Sequence, residues 1–224
     1  MTDFNALTRA NLTRWKNAKP TRKSLSDKIA QALVSAKIRY QAVEAKTGVP
    51  WFVIAVIHER ESSQNWGRSL AQGEPWNKVS VHVPAGRGPF SSWEEAAIDA
   101  LLNCHPYLAK RKDWSLAGVL IALEMYNGLG YASKGVPSPY LWAGTNQYSS
   151  GKYVRDGVYD PGHVDQQLGC VAMLLSMMAI DPTITFTGAK IAPASPKPSA
   201  ANPSKGSIGA FIANMFNVIS RRKP

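Results

Sequence analysis

The stretch "PWFVIAVIHERES", residues 50–62, restricts the possible folds more than any other part of the chain. From Trp51 to Ile57 every position is apolar, so a helix formed there has no face to offer to water and must be enclosed by other elements. Pro50 suits the first helical position and marks the start. The 224 residues are enough for one core of roughly 150–200 residues plus appendages, which is what such a helix needs around it. The run ends in Glu59 and Glu61, and the turn-rich segment after it adds Glu74. Carboxylates at the end of the most apolar helix are expensive to bury unless they are paired or have a chemical task.

Flanking segments supply the enclosure. "SLSD" at Ser24 reads as a capping box, and Ile29, Leu33, Ala36, Tyr40 and Val43 recur at helical spacing until Gly48. "SWEE" at Ser92 caps "AAIDALLNC", and a further helix runs from Trp114 to a stop at Gly128. Residues 165–180, "DQQLGCVAMLLSMMAI", read as a Met-rich core helix. Between these lie two irregular segments. In the first, "KVSVHVP", Val79, Val81 and Val83 alternate with Ser80 and His82 as in a short strand. The second, residues 128–162, is rich in Gly, Pro, Ser and aromatics and is too long for a mere connection, which marks it as functional.

Charge divides the chain further. Residues 1–23 carry six Lys/Arg against one acid and residues 187–224 carry six against none, while residues 24–186 balance at 14 against 14. The net charge of +11 therefore belongs to the ends, and nothing in the neutral middle suits nucleic acid. The expected organisation is a basic N-terminal segment 1–23 packing on or preceding the domain, a catalytic domain 24–186, a Pro/Ala/Ser/Lys linker 187–206, and a basic amphipathic helix 207–224. In that last helix Phe211 and Phe216 share an apolar face and Arg221, Arg222 and Lys223 follow it, a pattern suited to anionic inner- or outer-membrane lipid. The N-terminus lacks the apolar stretch of a signal peptide and no run reaches the roughly 18 residues of a membrane span.

Two carboxylates in unlike surroundings are what glycoside hydrolysis requires. One must hold a proton for the leaving oxygen, and the other assists water or the developing positive charge. A helix of Trp, Phe, Val and Ile favours a protonated acid, and a Gly/Pro/Asn turn favours an ionised one. Glu61 lies on one stripe with Ile54 and Ile57, although a helix apolar on all sides leaves Glu59 as an alternative acid. Glu74 precedes Ser80 by six positions in "GEPWNKVS".

Together these features resemble the lysozyme superfamily, and "RES" resembles the Glu-Ser signature of its muramidases and lytic transglycosylases. "KIRYQAVEAKTGVPWFVIAVIHERESS", "VHVPAGRGPFSSWEEAAIDAL" and the Tyr-Asn-Gly segment beginning at Tyr126 are similar to lysozyme-like peptidoglycan hydrolases of phages and bacteria. The resemblance implies a mainly α, α+β lysozyme-like fold with a small β-hairpin lobe and a glycan cleft between lobes. It further implies an endolysin-like muramidase with Glu61 as general acid, and Glu74 with Ser80 placing water as the acidic and hydroxyl pair of phage-type lysozymes do. Here, however, Glu and Ser stand where those enzymes have Asp and Thr, at a longer spacing from the acid. Tyr126, Asn127, Tyr140, Trp142, Gln147 and Tyr148 would contact the sugar. The partner would be the glycan strands of peptidoglycan, with no cofactor. The protein would be made in a host cytoplasm and act at the bacterial wall, in the periplasm, after release. A lytic transglycosylase is the nearest alternative, and a non-catalytic peptidoglycan-binding or virion structural protein is another.

Other chemistries find less support. "HERE" lacks the second histidine of a zinc-protease helix, so His58 reads as structural and no metal is expected. There is no GxSxG elbow, and Cys104 and Cys170 read as buried thiols.

Overall fold

An α-helix that is apolar all round has to be wrapped, and this chain wraps it with helices from both sides of the sequence. The computed structural model describes residues 2–71, 73–82 and 84–187. The expected linker from residue 188 onward and the expected helix 207–224, with Phe211, Phe216, Arg221, Arg222 and Lys223, lie outside the described residues. In chain order the elements are α1 (Phe4–Asn17), α2 (Lys23–Ser35), α3 (Lys37–Thr47), α4 (Trp51–Ser62), α5 (Trp93–Asn103), α6 (Leu116–Asn127), α7 (Gly130–Ser133), α8 (Pro139–Trp142), β1 (Lys152–Arg155), β2 (Val158–Asp160) and α9 (Cys170–Ile180). The fold is mainly helical with one small antiparallel sheet, β1 pairing with β2. In α4 every residue from Trp51 to Glu59 is buried, and α3, α6 and α9 pack on it.

The single helix expected from Ser24 to Gly48 is two helices. Ala36 breaks it, and α2 then packs along α9 while α3 packs against α4 and α5. Ser24 lies inside α2 and is not its cap. The serine that matters there is Ser26, fully buried, whose hydroxyl donates to the Ala172 carbonyl at 2.6 Å and so fastens α2 to α9. The cap at Ser92 is as the sequence reads, accepting the Glu95 amide at 3.1 Å, whereas the helix expected from Trp114 starts at Leu116 and is capped by Ser115, which accepts the Gly118 amide at 3.1 Å. Helix α9 begins at Cys170, five residues later than its apolar pattern suggests, and Cys104 and Cys170 are both buried thiols.

The sheet is not where the alternation of valines placed it. Val79 and Val81 are 53% and 76% exposed while Ser80 is 7% exposed, the reverse of an apolar-in strand, and residues 79–82 are irregular. The observed hairpin lies in the second irregular segment, where Tyr153 and Tyr159 pair across the strands and pack with Tyr131. The same segment contributes α8 to the core, because Tyr140, Leu141, Trp142 and Ala143 are all buried. Gly169 permits this: a β-carbon there would stand 2.4 Å from the Leu141 carbonyl oxygen, so only glycine lets the start of α9 cross α8.

The N-terminal segment packs on the domain as helix α1. Asp3 caps it, accepting the Ala6 amide at 3.0 Å, and α1 lies along α6. Asn11, 1% exposed, donates to Glu124 Oε1 at 3.3 Å, while Glu124 Oε2 is buried with no hydrogen-bond partner. Burial pushes the Glu124 carboxyl up to about 7, against the opposing pull of Asn11 and Arg14. Buried His58 is pushed the other way, down to about 4, again chiefly by desolvation.

These two groups shape stability in opposite senses. The raised Glu124 contributes stability that is complete below the ordinary carboxyl value of 4.5 and is lost as pH rises through 7. The depressed His58 contributes stability that is complete above 6.5 and is lost as pH falls through 4. Each is worth about 3 kcal/mol by the linkage relation. Glu124→Gln should therefore abolish the alkaline decline: its Tm relative to the native protein should rise between pH 5 and pH 8, as measured by thermal melts at the two values.

Candidate active site at the end of α4

The last turn of α4 sends three consecutive charged residues in different directions. Glu59 is 9% exposed, and desolvation raises its carboxyl above the ordinary value, with Arg60 opposing. Glu61 is half-buried, and the Tyr140 hydroxyl donates to its Oε1 at 2.9 Å. The sequence reading puts the preferred acid at Glu61 on the apolar stripe, but the more buried of the two carboxyls is Glu59, and Glu61 stands at the accessible edge. Of the two carboxyls, Glu61 is the one that reaches solvent. The helix ends at once, with Ser63 in the left-handed region (φ 52°).

Arg60, between the two glutamates, is bound tightly. Its Nη2 meets Asp165 Oδ2 at 3.0 Å and its Nη1 donates to the Leu168 carbonyl at 3.1 Å. The pair is almost dry, with side chains 8% and 2% exposed. Lys152 of β1 reaches the other Asp165 oxygen at 3.1 Å. Burial alone would raise Asp165, but Arg60 and Lys152 overcome it and hold the carboxyl below its usual range. The Arg60 guanidinium also lies over the Tyr140 ring, 4.8 Å from its centroid.

The segment after α4 folds back against it. Gly73, at φ +66°, sits so close that a β-carbon would be 3.0 Å from the Glu61 carbonyl oxygen. Tyr126 of α6 donates its hydroxyl to the Leu70 carbonyl at 3.0 Å and fixes the same segment from the other side. Glu74 then serves as a loop clamp. Its Oε2 accepts the Val81 and His82 amides at 3.2 and 3.1 Å, and its Oε1 meets His82 Nδ1 at 2.7 Å. Desolvation opposes ionisation, but the His82 amide and ring and the Val81 amide prevail, so the carboxyl lies below its ordinary value. Ser80 is similarly engaged, donating to the Pro84 carbonyl at 2.8 Å and accepting the Arg87 amide at 2.9 Å. Arg87 is in turn paired with Asp99 of α5.

The residues expected to contact sugar are distributed unevenly. Tyr140 bonds Glu61 directly, and Tyr126 braces the loop beside it. Asn127 donates to the Ser138 hydroxyl at 3.4 Å. Tyr148 accepts the Asp165 amide at 3.0 Å and so belongs to the Arg60 network. Gln147 bonds the Asn17 carbonyl and Asn146, which joins it to the end of α1. Trp142 is 0% exposed within the core, so the expectation that it lines a glycan surface is corrected: its indole is enclosed by the core and cannot meet a ligand.

His58 proves structural. A carbonyl can only accept, so Nε2 donates to Asn65 O at 3.1 Å, which leaves Nδ1 to accept the Tyr40 hydroxyl at 3.0 Å. Among the described residues no group of three or more His, Cys, Asp or Glu is placed to hold a metal ion, and no helix is long and apolar enough to cross a membrane. Arg60 and Asp165 are the site residues that sequence reasoning missed. The only signal was an aspartate ahead of the Gly169 break, and it was absorbed into the helical pattern. No family model, curated protein or solved structure matches the chain.

The clamp role of Glu74 is testable. Glu74→Ala should speed amide hydrogen exchange at Val81 and His82 by about tenfold, in line with about 1.5 kcal/mol per charge-assisted bond, while amides in the middle of α4 keep their protection.

Proposed function

We propose that the chain is a peptidoglycan-cleaving glycosidase of lysozyme-like fold and endolysin type, with Glu61 as the general acid at the MurNAc–GlcNAc β-1,4 bond. The observation that carries the reading is the half-buried Glu61 carboxyl at the end of an enclosed helix, held at Oε1 by the Tyr140 hydroxyl at 2.9 Å. A hydrogen bond received at Oε1 biases the acidic proton toward Oε2, and the same donor stabilises the carboxylate left after proton transfer. The glycan would lie in a cleft between the 66–88 loop and the 128–162 segment, the two long irregular stretches that flank Glu61. The partners are then glycan strands, with no cofactor and no nucleic acid. The protein acts at the bacterial wall after release from a host cytoplasm, and the basic C-terminal segment engages anionic lipid.

Two fates are open to the sugar cation once Glu61 has protonated the leaving oxygen. In a muramidase, water adds, and Glu74 with Ser80 would have to place it. In a lytic transglycosylase the C6 hydroxyl of the same MurNAc closes on C1, its proton returns to Glu61, and a 1,6-anhydro end results. The engagement of Glu74 with Val81 and His82, and of Ser80 with Pro84 and Arg87, favours the second, because a water-placing role would require those contacts to be released.

Purified sacculi provide the test. Glu61→Gln should lower release of soluble fragments by about 10²–10⁴-fold, the usual contribution of a general acid. Unchanged clearing would leave the chain a wall-binding or virion structural protein. Mass spectrometry of the native digest should show 1,6-anhydro ends, and ends carrying the oxygen of added water would return the assignment to hydrolysis.

A further inference from the structure

We propose that Arg60 and Asp165 are positioning residues for the acid, acting on Glu61 through Tyr140; the proposal rests on the glycosidase reading above. A phenol hydroxyl can direct its hydrogen bond only if the ring that carries it is held. The Tyr140 ring has the Arg60 guanidinium over its face, 4.8 Å from the centroid. That guanidinium cannot shift freely, because Asp165 Oδ2 and the Leu168 carbonyl fix its two terminal nitrogens at 3.0 and 3.1 Å.

Asp165 is itself fixed on several sides. Lys152 Nζ and the Gln167 amide both reach its Oδ1 at 3.1 Å, and its own amide donates to the Tyr148 hydroxyl at 3.0 Å. Gln167 closes the unit by donating its side-chain amide to the Glu59 and Arg60 carbonyls at 2.9 and 3.1 Å, tying the 165–168 segment to the end of α4. Glu61 therefore leaves a helix end whose backbone is held by Gln167 and whose hydrogen-bond donor lies under Arg60, both anchored on Asp165.

The burial of that pair supports the assignment. An arginine and an aspartate at 8% and 2% exposure gain little net stability over apolar residues of similar size, so their geometric specificity is what distinguishes them. Positional tolerance at an acid is tight: a displacement of about 1 Å can cost about a hundredfold in rate.

The experiment measures kcat and KM for fragment release from sacculi with the full-length protein and the variants Tyr140→Phe, Arg60→Lys and their double. Lysine keeps the charge opposite Asp165 but loses the planar face over Tyr140. Each single change should lower kcat by about 10- to 100-fold with KM within about twofold, and the double should be no worse than the more damaged single. An unaffected Arg60→Lys, or a double whose losses multiply, overturns the proposal. Thermal melts accompany the series. If Arg60→Lys does not fold, Asp165→Asn takes its place in the same cycle with the same expectation. A second readout needs no activity: in protein labelled with ¹³C at tyrosine Cζ, Arg60→Lys should move the Tyr140 signal, and an unmoved signal overturns the proposal. If Glu61→Gln clears sacculi like the native protein, the glycosidase reading fails, and the Tyr140 signal still decides whether Arg60 positions that ring.

Discussion

Enclosure of α4 is the constraint from which the other placements follow. A helix buried from Trp51 to Glu59 can release polar side chains only at its last turn, so charge accumulates where the enclosure ends. The preceding helix α3 and the distant α6 and α9 form the wall around it, and the irregular segments are left to cover its C-terminal end. The site is a by-product of this geometry. Backbone from the 66–88 loop, the start of α9 and α8 all converge on the one place where the central helix reaches solvent.

At that place the charges have separate duties. Glu59 faces inward, Arg60 is committed to Asp165, and Glu61 is left at the accessible edge with a tyrosine donor. The Arg60 terminal nitrogens are engaged by Asp165 and the Leu168 carbonyl. The Glu74 clamp works on the same economy in the neighbouring loop. Three contacts to one carboxylate replace the strand pairing that residues 79–82 lack, and they hold two valines out in water at the lip of the site.

The sequence made the central helix, its start at Pro50 and the cap at Ser92 readable, because each depends on residues within a turn or two. What depends on distant partners was not readable. The break at Ala36 arises because α2 and α3 pack on different helices, and periodicity runs through it unaltered. Valine alternation suggested a strand at 79–83, but a strand needs a neighbour, and the contacts of Ser80 and Glu74 hold the segment as a loop. Trp142 was assigned to a sugar surface by resemblance alone, yet it is fully buried, and the close approach of Gly169 to the Leu141 carbonyl that packs α8 inward has no signature near Trp142. The Arg60–Asp165 pair spans 105 residues, and nothing beside either residue in the sequence points to the other.

The seat of α1 on α6 bears on how the domain can be cut. Composition suggests a boundary near Ser24, since the preceding residues are basic and carry one acid. Yet Asn11 covers Glu124, and residues 19–21 are stitched to the 144–146 turn through Lys19, Thr21 and Asn146. A truncation at Ser24 would open the outer face of α6 to water, let a carboxyl evolved for a dry pocket ionise, and loosen the turn that follows α8. The basic leader thus closes the edge of the interior, with Asn11 over Glu124 and the partly buried Leu12 and Trp15 packed against the core.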